Sequence, residues 1–229
     1  FPNGLFDLEH KLLLGNDPHR SDEAIKSFRK AMYELNENEL GWYGEYQKRY
    51  GSTFKNITDS FLEKIVHNTC TGVWYNYYEG NRFSFVKFLK DCIKTILPHK
   101  TINGKFGKTP FVLTEHEVER SFVTADEFYT YAKDFIRKYC DMINREHVPT
   151  LLIDHLLVPQ NAYKVEKYFD DDFRLIIVER DVRDLFVLCK YVWTRMGFAS
   201  PYPDSPEEFL DLWTRMRKNE QKTDNPHVL

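Results

Sequence analysis

The sequence predicts an α/β protein with a parallel sheet, incomplete at both ends, and a large helical insertion in its first half. Three observations carry this. Leu175, Ile176, Ile177 and Val178 form an apolar, β-branched run with no polar break, the pattern of a strand buried on both faces. Directly after it, the apolar residues step by three and four through Val182, Leu185, Phe186, Cys189, Val192, Trp193 and Met196, which makes one stripe on a helix. Upstream, Thr150 to Ile153 is a second apolar run, and Pro159 opens a short helix to Phe169 between the two runs. Strand, helix, strand is a βαβ unit and implies a right-handed parallel crossover.

The chain has 229 residues, 42% hydrophobic and 29% charged. That is enough for one domain with a sizeable core, divided into a mostly helical part, 1–148, and a strand–helix part, 149–229. Aromatic content of 16% points to large side chains in the core. A net charge of -3 gives no bulk electrostatic handle on nucleic acid. No apolar run approaches the ~20 residues of a membrane helix, and no signal-peptide pattern occurs. The cysteines Cys70, Cys92, Cys140 and Cys189 are scattered, which reads as reduced, buried thiols in a cytoplasmic protein and not as a disulfide framework. The sequon at Asn56 then reads as incidental. Both ends read as cut, with Phe1 entering mid-pattern and Val228-Leu229 as the first residues of a strand.

In chain order, Pro2-Asn3-Gly4 and Gly15-Asn16-Asp17-Pro18 are turn signals around a short helix, Leu5 to Leu14. Ser21 reads as the cap of a helix from Asp22 to Leu35, with Ile25, Phe28, Ala31, Met32 and Leu35 inward. Helices are also expected over Glu37 to Tyr50, stopped by Gly51, and over Asn56 to Asn68, with Phe61, Ile65 and Val66 inward. Trp74 to Tyr78 is strongly aromatic and either continues a helix into the core or lines a pocket. A helix from Phe83 to Leu97, an exposed loop from Thr101 to Lys108 and a short edge strand at Phe111 to Leu113 follow. Thr124-Ala125-Asp126-Glu127 is a capping box. It opens the longest helix, to Glu146, with Phe128, Tyr131, Ala132, Phe135, Ile136, Tyr139, Met142 and Ile143 on one face. Ser205-Pro206-Glu207-Glu208 starts a last helix, to Lys218, with proline at its first position.

The chemistry concentrates between the strand and helix of the opening run, in Glu179-Arg180-Asp181-Val182-Arg183-Asp184. A tight turn at the carboxyl edge of a parallel strand is where anions bind in α/β sheets. The arginine guanidinium is a rigid fork of donors suited to phosphate or sulfate. Arg180, at the strand's end, is the first candidate, and Arg183 the second. The competing reading pairs Arg180 with Asp181 or Asp184 and leaves it only ordering the turn. His155, just after the upstream strand, is a candidate base, with Asp154 beside it. Other groupings are weak. His67 and Cys70 are ligand types with no second pair, His116-Glu117 lacks a second histidine, and Lys100, Lys105 and Lys108 read as a solvated loop. No metal site is expected. No P-loop, dinucleotide glycine fingerprint or nucleophile elbow occurs in the chain.

At these residues the chain resembles the sulfotransferase family, in particular bacterial sulfotransferase-like proteins of the P-loop nucleotide fold. Leu175 to Asp184 is similar to the family's strand and turn, an apolar strand followed by Arg, Asn or Asp, Pro, a basic residue and Asp. Leu151 to Pro159 is similar to its Lys-Thr-His-Leu-Pro segment. Val182 stands where the family has proline and Leu188 where it has a phosphate-binding serine. Ile153, Asp154 and Leu157 replace the lysine, threonine and proline around the histidine. The family's P-loop is expected before Phe1. The resemblance covers Thr150 to Trp193. It implies a parallel sheet of P-loop/sulfotransferase type, with 149–229 as the nucleotide-binding part. It implies 3′-phosphoadenosine 5′-phosphosulfate as donor and a hydroxyl or amine acceptor, a glycan among the candidates, with no nucleic-acid partner. Arg180 then holds the 3′-phosphate with Arg183 and Asp184 beside it, His155 is the base and Asp154 orients it. Two other classes stay open, a non-catalytic binding or assembly module and a kinase-like P-loop phosphotransferase. Homo-oligomerisation is open as well.

Overall fold

The computed structural model describes residues 2–14, 18–37, 46–73, 115–153, 157, 159–197, 199–218, 220 and 223–229. The chain divides into two compact units, Asn3–Phe128 and Phe1–Pro2 with Tyr129–Leu229. Among the described residues the expected parallel sheet is not found: they are mostly helical, and their sheet is a single antiparallel pair.

In the unit Asn3–Phe128, α1 (Pro2–Glu9) runs on as a π-helical turn, His10–Leu14. It is followed by α2 (Pro18–Glu37), α3 (Tyr46–Tyr50) and α4 (Thr53–Ile65). β1 (Asn68–Val73) pairs antiparallel with β2 (Glu115–Arg120), Asn68 opposite Arg120 and Val73 opposite Glu115. Gly4, expected in a turn, lies in α1. A Cβ there would sit 3.3 Å from Met32 Cε of α2, so glycine permits the close approach of the two helices. Gly51 ends α3 in the left-handed region (φ 58°), as its place after the helix predicted. The core holds Leu5, Leu8, Ile25, Phe28, Met32, Phe54, Phe61, Leu62, Ile65 and Phe128.

Ser21 does not cap α2, which begins three residues earlier at Pro18. Ser21 and Asp22 are buried inside the helix and face the outer edge of β2. The Ser21 hydroxyl accepts from the Ser121 N–H (3.1 Å), and an Asp22 carboxylate oxygen accepts from the Glu119 N–H (2.8 Å). Lys26 donates to the Glu117 carbonyl (2.7 Å), and Arg29 grips the Glu119 carboxylate with both terminal nitrogens (2.6 and 2.7 Å). The polar row of α2 thus takes up the hydrogen bonds that β2 cannot make to β1, and closes that edge of the ribbon.

The capping box forms as expected. The Thr124 N–H and hydroxyl both donate to Glu127 Oε2 (2.9 and 2.8 Å), and the Glu127 N–H points back to Thr124 Oγ1 (3.4 Å). These bonds, the backbone one first, hold the Glu127 carboxyl below its ordinary value. They start α5 (Ala125–Ile143), whose buried residues Phe128, Ala132, Phe135, Ile136, Tyr139 and Met142 follow the predicted stripe. The helix stops short of Glu146, and His147 takes a left-handed φ of 50° in the turn that follows.

In the unit ending at Leu229, a 3-10 turn (Pro159–Lys164) leads into α6 (Val165–Tyr168). This matches the short helix expected from Pro159. Arg137 and Lys133 of α5 both reach Asp170. α7 (Val182–Val187) continues as a π-helical turn, Leu188–Trp193, and Gly197 closes this run at φ 81°. α8 (Pro206–Lys218) begins with the Glu208 N–H donating to Ser205 Oγ (3.3 Å).

The βαβ unit fails at both of its strands. Thr150 to Ile153 makes no sheet pairing, and Leu152 is 89% exposed. Leu175 forms one parallel bridge, to Val228, through three bonds. The Leu175 N–H donates to the His227 carbonyl (2.8 Å), the Leu229 N–H to the Leu175 carbonyl (2.8 Å) and the Ile177 N–H to the Leu229 carbonyl (2.9 Å). Leu175 and Ile177 pack against Leu157, Ala162, Val165, Phe169, Phe173 and Val228. Ile176 and Val178 point the other way and are 63% and 86% exposed. A strand of a parallel sheet needs cover on both faces. This run is covered on one. Among the described residues no helix is long and apolar enough to cross a membrane.

Candidate anion-binding site

Three local causes shape the turn after Ile177. The inward pair Leu175 and Ile177 anchors the extended run to the small core around Val165. The chain then reverses into α7, where Asp181 is the N-cap (φ -56°, ψ 130°) and its Oδ1 accepts the Arg183 N–H at 2.8 Å. Finally, the Glu179 carboxylate takes a bond from Arg217 Nη2 of α8 (2.5 Å).

The two candidate arginines part company here. Arg183 folds back onto Asp181, Nη2 to Oδ2 at 2.6 Å and Nε to Oδ1 at 3.0 Å. The Nε and Nη2 side of its guanidinium is taken, so the charge expected to assist electrostatically is already paired with a carboxylate. Arg180 is exposed and, among the described residues, has no hydrogen-bond or carboxylate partner. The competing sequence reading paired Arg180 with Asp181 or Asp184, but Asp181 goes to Arg183. Asp184 is exposed in the first turn of α7, and its carbonyl accepts the Leu188 N–H. Asp154 and His155 lie outside the described residues, as do Trp74 to Tyr78, Cys92 and the lysines Lys100, Lys105 and Lys108.

The Arg183 guanidinium, and then the Arg183 N–H, hold the Asp181 carboxyl down at about 2. A carboxyl depressed in the fold stabilises it above the ordinary 3.8 and loses that contribution as pH falls toward about 2. Titration of the Asp181 carboxyl carbon by NMR is therefore expected to show a midpoint near 2. In Arg183→Ala it should rise toward 3.8. An unmoved midpoint would assign the shift to the backbone N–H alone.

Two of the other ligand-type residues, His67 and Cys70, are engaged elsewhere. His67 Nδ1 accepts the Phe122 N–H (3.2 Å), and Arg120 points at the Cys70 sulfur (3.0 Å). Cys70 is exposed, against the expectation of buried thiols, while Cys140 is half-buried and Cys189 buried. Among the described residues no three His, Cys, Asp or Glu side chains are grouped to hold a metal ion. The Glu179–Arg217 pair was not read from the sequence. Its partners are 38 residues apart, and no local spacing rule joins them.

No protein-family model matches the chain, and neither a curated protein nor a solved structure matches it.

Proposed function

We propose that the protein transfers a sulfuryl group from 3′-phosphoadenosine 5′-phosphosulfate to a hydroxyl or amine of a glycan or small acceptor, with Arg180 holding the donor's 3′-phosphate. The observation that carries this is the exposed Arg180 guanidinium at the end of the Leu175 run, which has no partner among the described residues. A free planar fork fits a phosphate with two parallel charge-assisted bonds. The reading stands on that group and on the residue pattern from Thr150 to Trp193, and not on a parallel sheet. Arg183 fits the same role less well, because its charge is already paired with Asp181 through Nε and Nη2.

When bound, the donor supplies an already activated sulfuryl group, so the chain's task is positioning and charge stabilisation. In this proposal Arg180 orients the nucleotide end. His155 takes the proton of the acceptor hydroxyl or amine, and Asp154 fixes the imidazole that does so. A second reading, a binding module without transfer, is favoured by the pairing of Arg183 with Asp181, which leaves one free cation at the turn where the family motif supplies two.

Calorimetric titration with 3′,5′-adenosine diphosphate tests the donor site. Arg180→Ala is expected to weaken binding about tenfold or more, the worth of a hydrogen bond to a charged group, and Arg183→Ala far less. Equal binding by wild type and Arg180→Ala, or none by wild type, removes the donor site. Binding without sulfate transfer selects the binding module. Transfer at the normal rate in His155→Ala would take His155 out of the mechanism.

A further inference from the structure

Three carboxylates lie close to Arg180 in sequence, Glu179, Asp181 and Asp184. An exposed arginine so flanked ordinarily spends its charge on one of them, and any left free would repel an incoming anion. Two of the three are already taken by other arginines. Both Asp181 oxygens accept from Arg183, and Glu179 Oε1 accepts from Arg217 Nη2. Arg217 is itself well held. Its Nη1 bonds Glu220 (3.2 Å), and its guanidinium lies 6.0 Å from the centre of the Trp213 ring. The Glu179 carboxylate raises the Arg217 guanidinium above its ordinary value, the mark of a made pair.

We infer that Arg217 is a positioning residue. By occupying Glu179 it leaves Arg180 as the free anion-accepting group of the turn, as Arg183 does by occupying Asp181. This rests on the reading that Arg180 takes the donor's 3′-phosphate. The specificity of the turn then lies less in Arg180 itself than in the two arginines that pair with the carboxylates on either side of it, Glu179 and Asp181. Arg217 arrives from α8, so the packing of that helix against the turn sets whether the anion site is open.

The test measures Arg180 directly and without nucleotide. Phenylglyoxal labels guanidiniums fastest when no carboxylate is paired with them, and mass spectrometry reads each arginine separately. In wild type Arg180 should label faster than Arg183 and Arg217. In Arg217→Ala the labelling of Arg180 should slow about threefold, the scale of an exposed ion pair. Arg217→Lys and the double variant Glu179→Gln with Arg217→Ala should restore it. Glu179→Gln alone keeps Arg217 in place. There Arg217 should label faster and Arg180 as in wild type. An Arg180 rate that is unchanged in Arg217→Ala, or slowed in Glu179→Gln, overturns the role of Arg217. The same variants are then titrated with 3′,5′-adenosine diphosphate, where Arg217→Ala should bind about threefold more weakly. If labelling behaves as expected while wild type binds no nucleotide, the donor reading falls and the role of Arg217 stands.

Discussion

Truncation of Phe61 to alanine should cost about 3–5 kcal/mol of stability, the usual toll of emptying a buried aromatic site. Phe61 sits on α4 at 3% exposure. Its ring meets Phe28 of α2 edge-on at 5.7 Å and Phe128 of α5 at 6.3 Å, with interplanar angles of 66° and 70°. The single ring therefore joins three helices of the unit Asn3–Phe128. Two edge-to-face contacts go with the buried area, each worth about 0.5–1.5 kcal/mol beyond it. Urea unfolding followed by circular dichroism checks this. Phe61→Leu, which refills most of the volume, should recover more than half of the loss. A loss below about 1 kcal/mol in Phe61→Ala would mean that the helices close over the hole.

Asp22→Ala should come next, at about 2–3 kcal/mol, because it removes a buried carboxylate on which a strand N–H and a half-buried ammonium both depend. Asp22 is 3% exposed and accepts from the Glu119 N–H and from Lys26 Nζ (3.0 Å). Removing it leaves a strand N–H without an acceptor and an ammonium without its counter-charge. Hydrogen exchange gives the local reading. The Glu119 amide should exchange far faster in Asp22→Ala and only modestly faster in Asp22→Asn, which keeps an acceptor oxygen. Unchanged exchange at Glu119 would show that the Arg29–Glu119 fork holds the strand against α2 unaided.

The candidate site was legible in part. Arg180 was picked out for its residue type and its place after an apolar run, and Asp181 and Asp184 were named as the competing partners. Which arginine each carboxylate takes was not legible. Glu179, Asp181 and Asp184 offer several pairings of similar cost, and the choice depends on a helix 38 residues away. The Leu175–Val178 run shows the same limit. Four apolar residues in a row state that a strand is favourable. They do not state how many faces are covered, and here Ile176 and Val178 are left outside.

What the sequence determined by itself is what local interactions decide. It placed α5 from its capping box and its stripe from Phe128 to Met142, α8 from Ser205-Pro206, the helical turns after Pro159, and the C-terminal end of α3 with its glycine. In each case the bonds involved close within four residues or repeat at the helical period. Only the tertiary structure decided that Ser21 and Asp22 serve β2 and not a helix start. It alone paired β1 with β2, held Leu175 to Val228 in one bridge where a parallel sheet was expected, and gave Asp181 to Arg183 while Arg180 has no partner among the described residues. The physical reason is common to these cases. A short polar side chain, an extended backbone or a guanidinium can satisfy its hydrogen bonds with several partners at nearly equal cost. The choice is made by whichever partner the rest of the fold brings within reach.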